Sequence, residues 1–442
     1  SQDEVTLQAM QRALTRLLDE EVENLKGSYL DKGFFNSLIS GGDIVKDILL
    51  WISDPDGFKA GRTNEEWEAY IEISKSKEKV HPEQDGIYAA VEKLGWHDEA
   101  WDVVWNRFCE APAKYDAIPK VLRKTVMPLV EKQDRFPQWN EQQEGLLRKE
   151  LLKLSGMDEQ SAREEIIKLE KEHAQRRKLV WAELGQSPLA VSLKWLADMA
   201  IKTSTEIIGS AEEMAKTHEA WGWQADYAVL MAISSVSKQE DIDAVFSAIR
   251  SIYLPWIDVN ARALQKTVQS EGYPLFKAPS YNDDECACFV DALRFDLAKR
   301  LSEKLKEAGI NVREEIRWTP IPTVTSTCKP ALTFISEKFV GDDIHNQDFT
   351  PVMKEGGQPA TIHRIMKLME DAGWSVLSDN QLEKNCKYGW YEFGRIDDEG
   401  HKIGWRIAYN VESYLNDVCG RITALLKAGW KTIRIVSDHG WL

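Results

Sequence analysis

The sequence predicts an α/β protein in which a helical N-terminal region precedes a domain with a mostly parallel sheet. Two observations indicate this class. Apolar residues recur at helical spacing up to about residue 280, and beyond it short apolar runs alternate with helical patterns. A stretch rich in turn formers, Gly272 to Asp284, separates the two patterns. We therefore assign residues 1–280 to a helical recognition or docking region of one or two subdomains, and residues 281–442 to the α/β domain.

The helical region carries periodic segments without a chemical motif. Val5 to Lys26 and Gly86 to Cys109 show helical spacing, and Gly95 breaks the second segment. Asp158 to Leu184 is highly charged, and opposite charges four residues apart predict one long helix there. Trp221 to Tyr253 predicts two further helices that pack as an antiparallel pair. This content favours protein recognition over catalysis for the first half of the chain.

Composition restricts the classes of function. The 442 residues are suited to two or three domains, and the net charge of -16 argues against broad nucleic-acid affinity. The six scattered cysteines fit the reduced thiols of an intracellular protein. Neither a membrane span nor a signal peptide is recognisable in the sequence. We expect a protein of the cytoplasm that does not enter a membrane.

The α/β domain is predicted element by element. Apolar β-branched and cysteine-rich runs predict strands, and helical runs closed by glycine predict helices. The predicted strands are Cys286–Val290, Asn311–Trp318, Trp390–Ile396 and Ile433–Val436, and the helices are Leu293–Ala308, residues 331–339 and Val411–Ala428. We expect the last strand to lie buried in the centre of the sheet, because β-branched residues dominate it.

Asp438, His439 and Gly440 directly follow that last strand. Open α/β sheets bind ligands at the carboxyl ends of their strands. A carboxylate beside an imidazole offers two metal ligands, and the glycine allows a sharp turn past them. The tripeptide therefore predicts a metal site at this edge.

Asp291 directly follows the strand Cys286–Val290, with Arg294 and Asp296 at the start of the next helix. A carboxylate in this place projects from the same edge of the sheet as Asp438. The alternative is that Asp291 caps the helix, and we weigh the two equally. We interpret Asp296 as a solvated helix residue or a support for the site.

A hydroxyl nucleophile is predicted at Thr325. Pro320 and Pro322 favour an extended approach, and Pro330 is best tolerated in the first turn of a helix, so that a helix begins near Ser326–Cys328. A helix N-terminus binds anions such as phosphate. The alternatives are that Thr325, Ser326 or Thr327 is only a helix cap, and that Lys329 is a surface charge instead of a contact to the substrate.

Asp397 and His401 form a third cluster, after the extended run Trp390–Ile396. We expect a glycine-containing turn to bring both side chains onto one ion, and the alternative is an acidic hairpin loop. His345 and His363 have no comparable context and are interpreted as bystanders.

These motifs together resemble a known family. Val290–Asp296, Ile321–Thr325, Arg395–His401 and Val436–Gly440 are similar to the PglZ domain of BREX-type bacteriophage-exclusion systems, a member of the alkaline phosphatase superfamily. The resemblance covers roughly residues 284–442. It implies an alkaline-phosphatase-like α/β fold for this part of the chain.

The resemblance also implies cofactors and roles. Two divalent ions, typically zinc, are expected, with a threonine or serine nucleophile. One ion would be surrounded by Asp291, Thr325, Asp438 and His439, and the other held by Asp397 and His401. Superfamily members supply a further histidine downstream of Asp-His-Gly, and the sequence ends at Leu442. We therefore expect an N-terminal fragment whose second site is incomplete.

The function implied is metal-dependent hydrolysis of a phosphoric ester, by a phosphodiesterase or phosphatase of antiviral defence, with a nucleic acid or nucleotide as candidate substrate. Ser326, Lys329 and Arg294 would contact the phosphate. The expected partners are other BREX proteins: a methyltransferase, an ATPase and small accessory proteins. The alternative is a weakly active or vestigial scaffold that binds these partners. A third hypothesis is a sulfatase or phosphomutase of the same superfamily. Cys328 does not lie in a sulfatase motif of the form Cys-x-Pro-x-Arg, which argues against a sulfatase.

Overall fold

The computed structural model describes residues 3–26, 28–39, 42–129, 133–341 and 349–440. Two compact units divide the chain. The first consists of Ser1–Glu150 and Leu169–Val191, and the second of Leu151–Lys168 and Ser192–Leu442. His345, one of the predicted bystanders, lies outside the described residues.

Helices precede the sheet throughout the first 271 residues, joined in places by short 3-10 and π turns. They are α1 Glu4–Arg12, α2 Leu14–Leu18, α3 Val22–Leu25, α4 Lys32–Ile39, α5 Ile44–Ser53, α6 Pro55–Ala60, α7 Asn64–Ile73, α8 Gly86–Gly95, α9 Asp102–Glu110, α10 Ala117–Leu122, α11 Pro137–Lys153, α12 Glu159–His173, α13 Val180–Glu183, α14 Pro188–Lys202, α15 Ala211–Thr217, α16 Trp223–Ser234 and α17 Gln239–Glu271. The predicted break at Gly95 is confirmed, because α8 ends there.

The first unit has an aromatic core. Trp51, Tyr70, Trp101 and Trp181 are almost fully buried within one apolar cluster. Large aromatic side chains bury more apolar area per residue than other types and dominate the energetics of a core. The unit therefore folds around packed rings, as its helical apolar spacing predicts.

The predicted single helix from Asp158 to Leu184 is wrong. Helix α12 ends at His173, and a 3-10 turn over Ala174–Lys178 replaces it. The turn directs Arg176 inward, where its Nη2 lies 2.7 Å from Glu144 Oε1 and 2.8 Å from Asn140 Oδ1. A buried ion pair with further hydrogen bonds requires a fixed backbone path, and a straight helix does not supply it.

The second unit joins helices to the sheet. Its later elements are β1 Glu285–Val290, α18 Phe295–Glu307, α19 Thr325–Leu332, β2 Phe339–Val340, β3 Val352–Met353, α20 Ile362–Asp371, β4 Trp374–Val376, β5 Tyr388–Phe393, α21 Arg395–Ile403, α22 Val411–Lys427 and β6 Thr432–Val436. Helix α16 packs against both α17 and α18. The helices of residues 192–271 therefore share a compact unit with the sheet, and the boundary predicted near residue 280 is an irregular connection inside it.

The main sheet is parallel, in the strand order β4-β5-β1-β6. All six residues of β1 are buried, which requires cover on both faces. Ala287 and Phe289 pack into an apolar cluster that includes residues of α20, while α22 contacts β6 and α18. The predicted α/β class is confirmed for this part of the chain, with strands β2 and β3 forming a separate antiparallel pair.

Among the described strands, β6 is not central, although the sequence predicted a central position. It lies at the edge of the sheet beside β1, and most of its residues are half-buried. Its β-branched residues suit any strand that packs on one face, so composition alone does not separate edge from centre. Arg434 of this strand pairs with the buried Glu285 of β1.

The strand predicted at Asn311–Trp318 is also wrong, because that segment has no regular structure. Glu314 ties it to α18 instead, with Oε1 2.6 Å from Ser302 Oγ and 2.9 Å from Lys306 Nζ. The helix predicted over residues 331–339 ends already at Leu332. Pro330 lies in the second turn of α19, one turn later than the sequence predicted.

Substitution of Gly389 in β5 tests how closely the sheet packs against its neighbours. A Cβ at Gly389 would lie 2.7 Å from the ring of Trp430 and 3.1 Å from Cys286 Sγ. Gly389→Ala should therefore lower the free energy of unfolding by roughly 1–3 kcal/mol, measured by urea denaturation. Gly420→Ala in α22 is the matched control, because a Cβ there meets nothing within 4 Å and alanine favours helix. Equal effects of the two changes would contradict this packing.

Candidate metal centre

Parallel strands bring their carboxyl ends to one edge of a sheet. Asp291 follows β1, Asp397 lies in the first turn of the helix after β5, and Asp438 and His439 follow β6. One ligand atom from each of Asp291, Asp397 and His439 lies within 4.8 Å of the other two. The structure thus assembles at one edge four of the residues that the sequence predicts as metal ligands.

His439 is oriented for binding through one nitrogen. Its Nδ1 lies 3.0 Å from the carbonyl oxygen of Gly440, and an N–H there donates to that oxygen. This contact leaves the lone pair on Nε2, which faces the carboxylates. Nε2 lies 3.3 Å from Asp438 Oδ2 and 3.7 Å from Asp291 Oδ1.

Asp438 is the most buried member of the cluster. Its Oδ1 accepts hydrogen bonds from the backbone N–H of His439 at 2.9 Å and of Ala292 at 3.3 Å. Its Oδ2 is buried and accepts no hydrogen bond from the described residues. A buried carboxylate oxygen without a donor is costly, and a cation at this point would satisfy it.

The backbone after β1 adopts an unusual conformation. Ala292 has φ +58°, in the left-handed region that non-glycine residues rarely enter. Its N–H thereby reaches Asp438, while Asp291 turns toward His439. Strain of this kind is concentrated at functional sites. Asp291 is not the cap of α18, whose N-cap position is held by Arg294.

Thr325 is the first residue of α19, as predicted. The N-cap position belongs to Val324, which cannot cap through its side chain, so the hydroxyl of Thr325 is not a cap. Thr325 Oγ1 lies 2.8 Å from His439 Nε2 and 3.5 Å from Asp291 Oδ1. The hydroxyl therefore points into the carboxylate cluster.

Asp397 and His401 lie on helix α21, not across a turn. Their spacing of four residues places them on one face, with His401 Nε2 3.5 Å from Asp397 Oδ2. The His401 side chain is 81% exposed, whereas Asp397 is 22% exposed and joins Asp291 and His439. Asp397 thus contacts both His401 and the cluster of Asp291 and His439. The sequence had predicted a separate ion for Asp397 and His401, and this separation is corrected for Asp397.

The three predicted phosphate contacts, Ser326, Lys329 and Arg294, occupy different environments. Ser326 is the second residue of α19, next to Thr325. Lys329 is buried, with Nζ 2.7 Å from Glu392 Oε2, so its interpretation as a surface charge is wrong. This ion pair holds the Lys329 ammonium in the protein interior and makes a direct contact to substrate unfavourable.

Arg294 is anchored by a carboxylate of its own helix. Its Nε and Nη2 lie 3.0 Å and 2.9 Å from the two oxygens of Asp296. Asp296 is 1% exposed, so its interpretation as a solvated residue is wrong. The Arg294 side chain also packs on Gly440, where a Cβ would overlap it. Arg294 thus supports the loop that carries His439.

Sequence reasoning missed Glu392 and Ala292. Glu392 accepts hydrogen bonds from Lys329 Nζ and, at 2.7 Å, from Trp390 Nε1. A single acidic residue within the apolar run of β5 was the available signal. For Ala292 the sequence offered no signal, because alanine does not indicate a positive φ.

The electrostatics of the cluster favour a cation. Burial, together with the nearby charges of Asp438 and Asp397, raises the pKa of Asp291 to about 7. Asp291, Asp397 and His439, with the neighbouring Asp438, offer oxygen and nitrogen donors of the kind that divalent metal ions bind. The unsatisfied Asp438 Oδ2 and the fixed Nε2 of His439 show that these residues fit such an ion.

No family model, curated protein or solved structure matches the chain. Across the part of the chain that the structure describes, no helix combines the length and apolar character needed to cross a membrane.

The raised pKa of Asp291 makes metal binding depend on pH. Below about pH 7 this carboxyl holds a proton, which a metal ion must displace. The apparent association constant for Zn²⁺ should therefore fall about tenfold for each pH unit below 7, and level off above it. Calorimetric titration between pH 5.5 and 8.5 measures this slope. A constant affinity over that range would contradict the role of Asp291.

Asp291→Asn separates stability from metal binding. Above pH 7 the ionised Asp291 faces two other carboxylates, so the amide should raise the free energy of unfolding of the metal-free protein by on the order of 1–3 kcal/mol at pH 8. Near pH 5, where Asp291 is protonated in the folded state, this gain should shrink. Thermal unfolding with and without Zn²⁺ should also show that the variant loses stabilisation by metal.

The matched control is Asp398→Asn, an exposed residue of α21. It should leave stabilisation by Zn²⁺ unchanged. Full stabilisation by metal in Asp291→Asn would remove Asp291 from the ligand set.

Proposed function

We propose that this protein is a metal-dependent phosphoric ester hydrolase, a phosphodiesterase or phosphatase of the alkaline phosphatase superfamily. The observation that carries the proposal is the position of Thr325. Its hydroxyl lies at the N-terminus of a helix, 2.8 Å from His439 Nε2 and 3.5 Å from Asp291 Oδ1. A nucleophile, a metal ligand set and an anion-binding helix end thus meet at one place.

The metal would be held by Asp291, Asp397, Asp438 and His439. A divalent cation there supplies Lewis-acid stabilisation of the charge that develops on the attacking and departing oxygens. Zinc suits the mixture of oxygen and nitrogen ligands. A second ion near Asp397 and His401 remains part of the proposal, supported by the 3.5 Å between their side chains.

The residues of the chain supply positioning. The N-terminal turn of α19 faces the phosphate with N–H groups of the backbone, which would hold the oxygens not involved in displacement. Thr325 attacks phosphorus along the line of the leaving oxygen, and water then cleaves the phosphothreonine. Ser326 adds a hydroxyl beside the nucleophile. Lys329 is paired with Glu392 of β5, so it helps to hold α19 against the sheet and does not bind the phosphate itself.

The biological setting is part of the same proposal. The similarity of the four sequence motifs to the PglZ domain supports a role in bacterial antiviral defence, with a methyltransferase, an ATPase and small accessory proteins as partners in the cytoplasm. A nucleic acid or nucleotide is the proposed substrate. A scaffold without activity is the competing function, and the metal and activity measurements below separate the two.

Removal of the Thr325 hydroxyl tests the nucleophile. Thr325→Val keeps the shape of the side chain and should lower the rate of bis(p-nitrophenyl) phosphate cleavage by about a thousandfold or more in the presence of zinc. Thr325→Ser keeps the hydroxyl and should retain substantial activity. Zinc content, measured by mass spectrometry, should be similar in the three proteins because the four metal ligands are intact.

Thr327→Val is the matched control in the same helix. The hydroxyl of Thr327 donates to the carbonyl oxygen of Phe349 at 2.8 Å, away from the cluster. This variant should cleave the ester at the rate of the unaltered protein. Activity that survives in Thr325→Val would reject the nucleophile, and an unaltered protein that binds its partners without metal or turnover would favour the scaffold.

A further inference from the structure

A cavity of about 550 Å³ lies among the helices of the second unit and the segment before α19. Most of its lining is apolar, and three aromatic rings contribute to it, those of Trp256, Phe295 and Trp318. A mostly apolar cavity with a few charged groups is typical of a small-molecule site. None of the residues of the carboxylate cluster lines it.

The positive charges of the lining are already paired. Lys216 Nζ lies 3.6 Å from Glu212 Oε1, and Arg317 Nη2 lies 2.7 Å from Glu315 Oε1. Arg317 Nη1 also donates to the backbone carbonyl oxygens of residues 277 and 278. An anionic ligand would have to compete with the contacts of Arg317, whereas the Lys216–Glu212 pair is exposed and weak.

The lining holds three carboxylates, those of Glu212, Glu219 and Asp226, against the two cations Lys216 and Arg317. Glu219 is exposed at its rim, and Asp226 is held further inside by the hydroxyl of Tyr253. His218 approaches Asp226 with Nε2 3.7 Å from Oδ2. The charges of Arg294 and Asp296 also act on Asp226, with opposite signs.

Aromatic rings and carboxylates together favour one class of ligand. The faces of tryptophan and phenylalanine attract organic cations, and nearby carboxylates add to this attraction. Burial raises the pKa of Asp226, which reflects the cost of keeping its charge away from water. A cation in the cavity would offset that cost.

We propose that this cavity binds an organic cation, an ammonium group attached to an apolar or aromatic body. The ammonium lies toward Glu219 and Asp226, and the body lies among Trp256, Phe295 and Trp318. The proposal does not rest on the hydrolase activity, because the cavity uses different side chains and requires no metal.

A pair of isosteric probes tests the charge. Phenyltrimethylammonium and tert-butylbenzene have the same shape, and only the first is a cation. In calorimetric titrations of the metal-free protein at pH 8, the cation should bind saturably, with one molecule per chain and about tenfold tighter than the neutral probe. The anion 4-tert-butylbenzoate should bind more weakly than either.

Three variants assign the binding to the cavity. Asp226→Asn and Glu219→Gln each remove one charge at nearly constant shape and should remove most of the preference for the cation. Ala261→Trp places a large ring at the lining from an exposed position of α17 and should weaken both the cation and the neutral probe. Asp371→Asn, an exposed residue of α20, is the matched control and should bind as the unaltered protein does.

Some results would overturn the proposal. They are the absence of saturable binding by the cation, equal binding of its neutral isostere, or unchanged binding in Ala261→Trp. If Asp226→Asn does not fold, Glu219→Gln still decides the role of charge, because Glu219 is exposed. Loss of ester cleavage in Thr325→Val has no bearing on these titrations, so the two proposals fail separately.

Discussion

The second unit depends on one constraint, the convergence of three carboxylates at the carboxyl edge of a four-stranded parallel sheet. Asp291, Asp397 and Asp438 come from three neighbouring strand ends, and burial, together with the charges of Asp438 and Asp397, raises the pKa of Asp291 to about 7. Folding alone does not favour this arrangement, because each buried charge loses its hydration. A bound cation would offset this cost, which is the physical basis of the metal site proposed above.

Several features of the fold serve to keep these groups together. The left-handed backbone of Ala292 brings an N–H to Asp438, and Gly440 leaves room for Arg294 to pack beneath the loop of His439. Below the site, Lys329 and Glu392 form a buried ion pair that joins α19 to β5. These contacts fix the relative position of the strand ends and of Thr325, and precise placement of this kind is what catalysis by positioning requires.

Local sequence signals predicted the strand ends and the helix start at Thr325, because apolar runs, prolines and glycines act over a few residues. The predictions that were wrong concern residues whose positions are set by contacts with residues far away in the sequence. The edge position of β6 is set by its pairing with β1 alone, and Lys329 is buried only because Glu392 lies opposite, 63 residues later in the chain. Glu314 similarly holds an irregular segment against α18 where a strand was expected. The helix at Asp397 escaped prediction because glycine at position 400 indicated a turn.

Helix α18 connects the two candidate sites of this unit. Its N-cap residue, Arg294, packs on Gly440 beside His439, and its first residue, Phe295, lines the apolar cavity. The Arg294 guanidinium is fixed by Asp296 and interacts electrostatically with Asp226 of the cavity. The same arginine thus packs against the loop of His439 and lies within electrostatic range of Asp226. The start of α18 is therefore one structural element that contributes both to the lining of the cavity and to the support of the loop that carries His439.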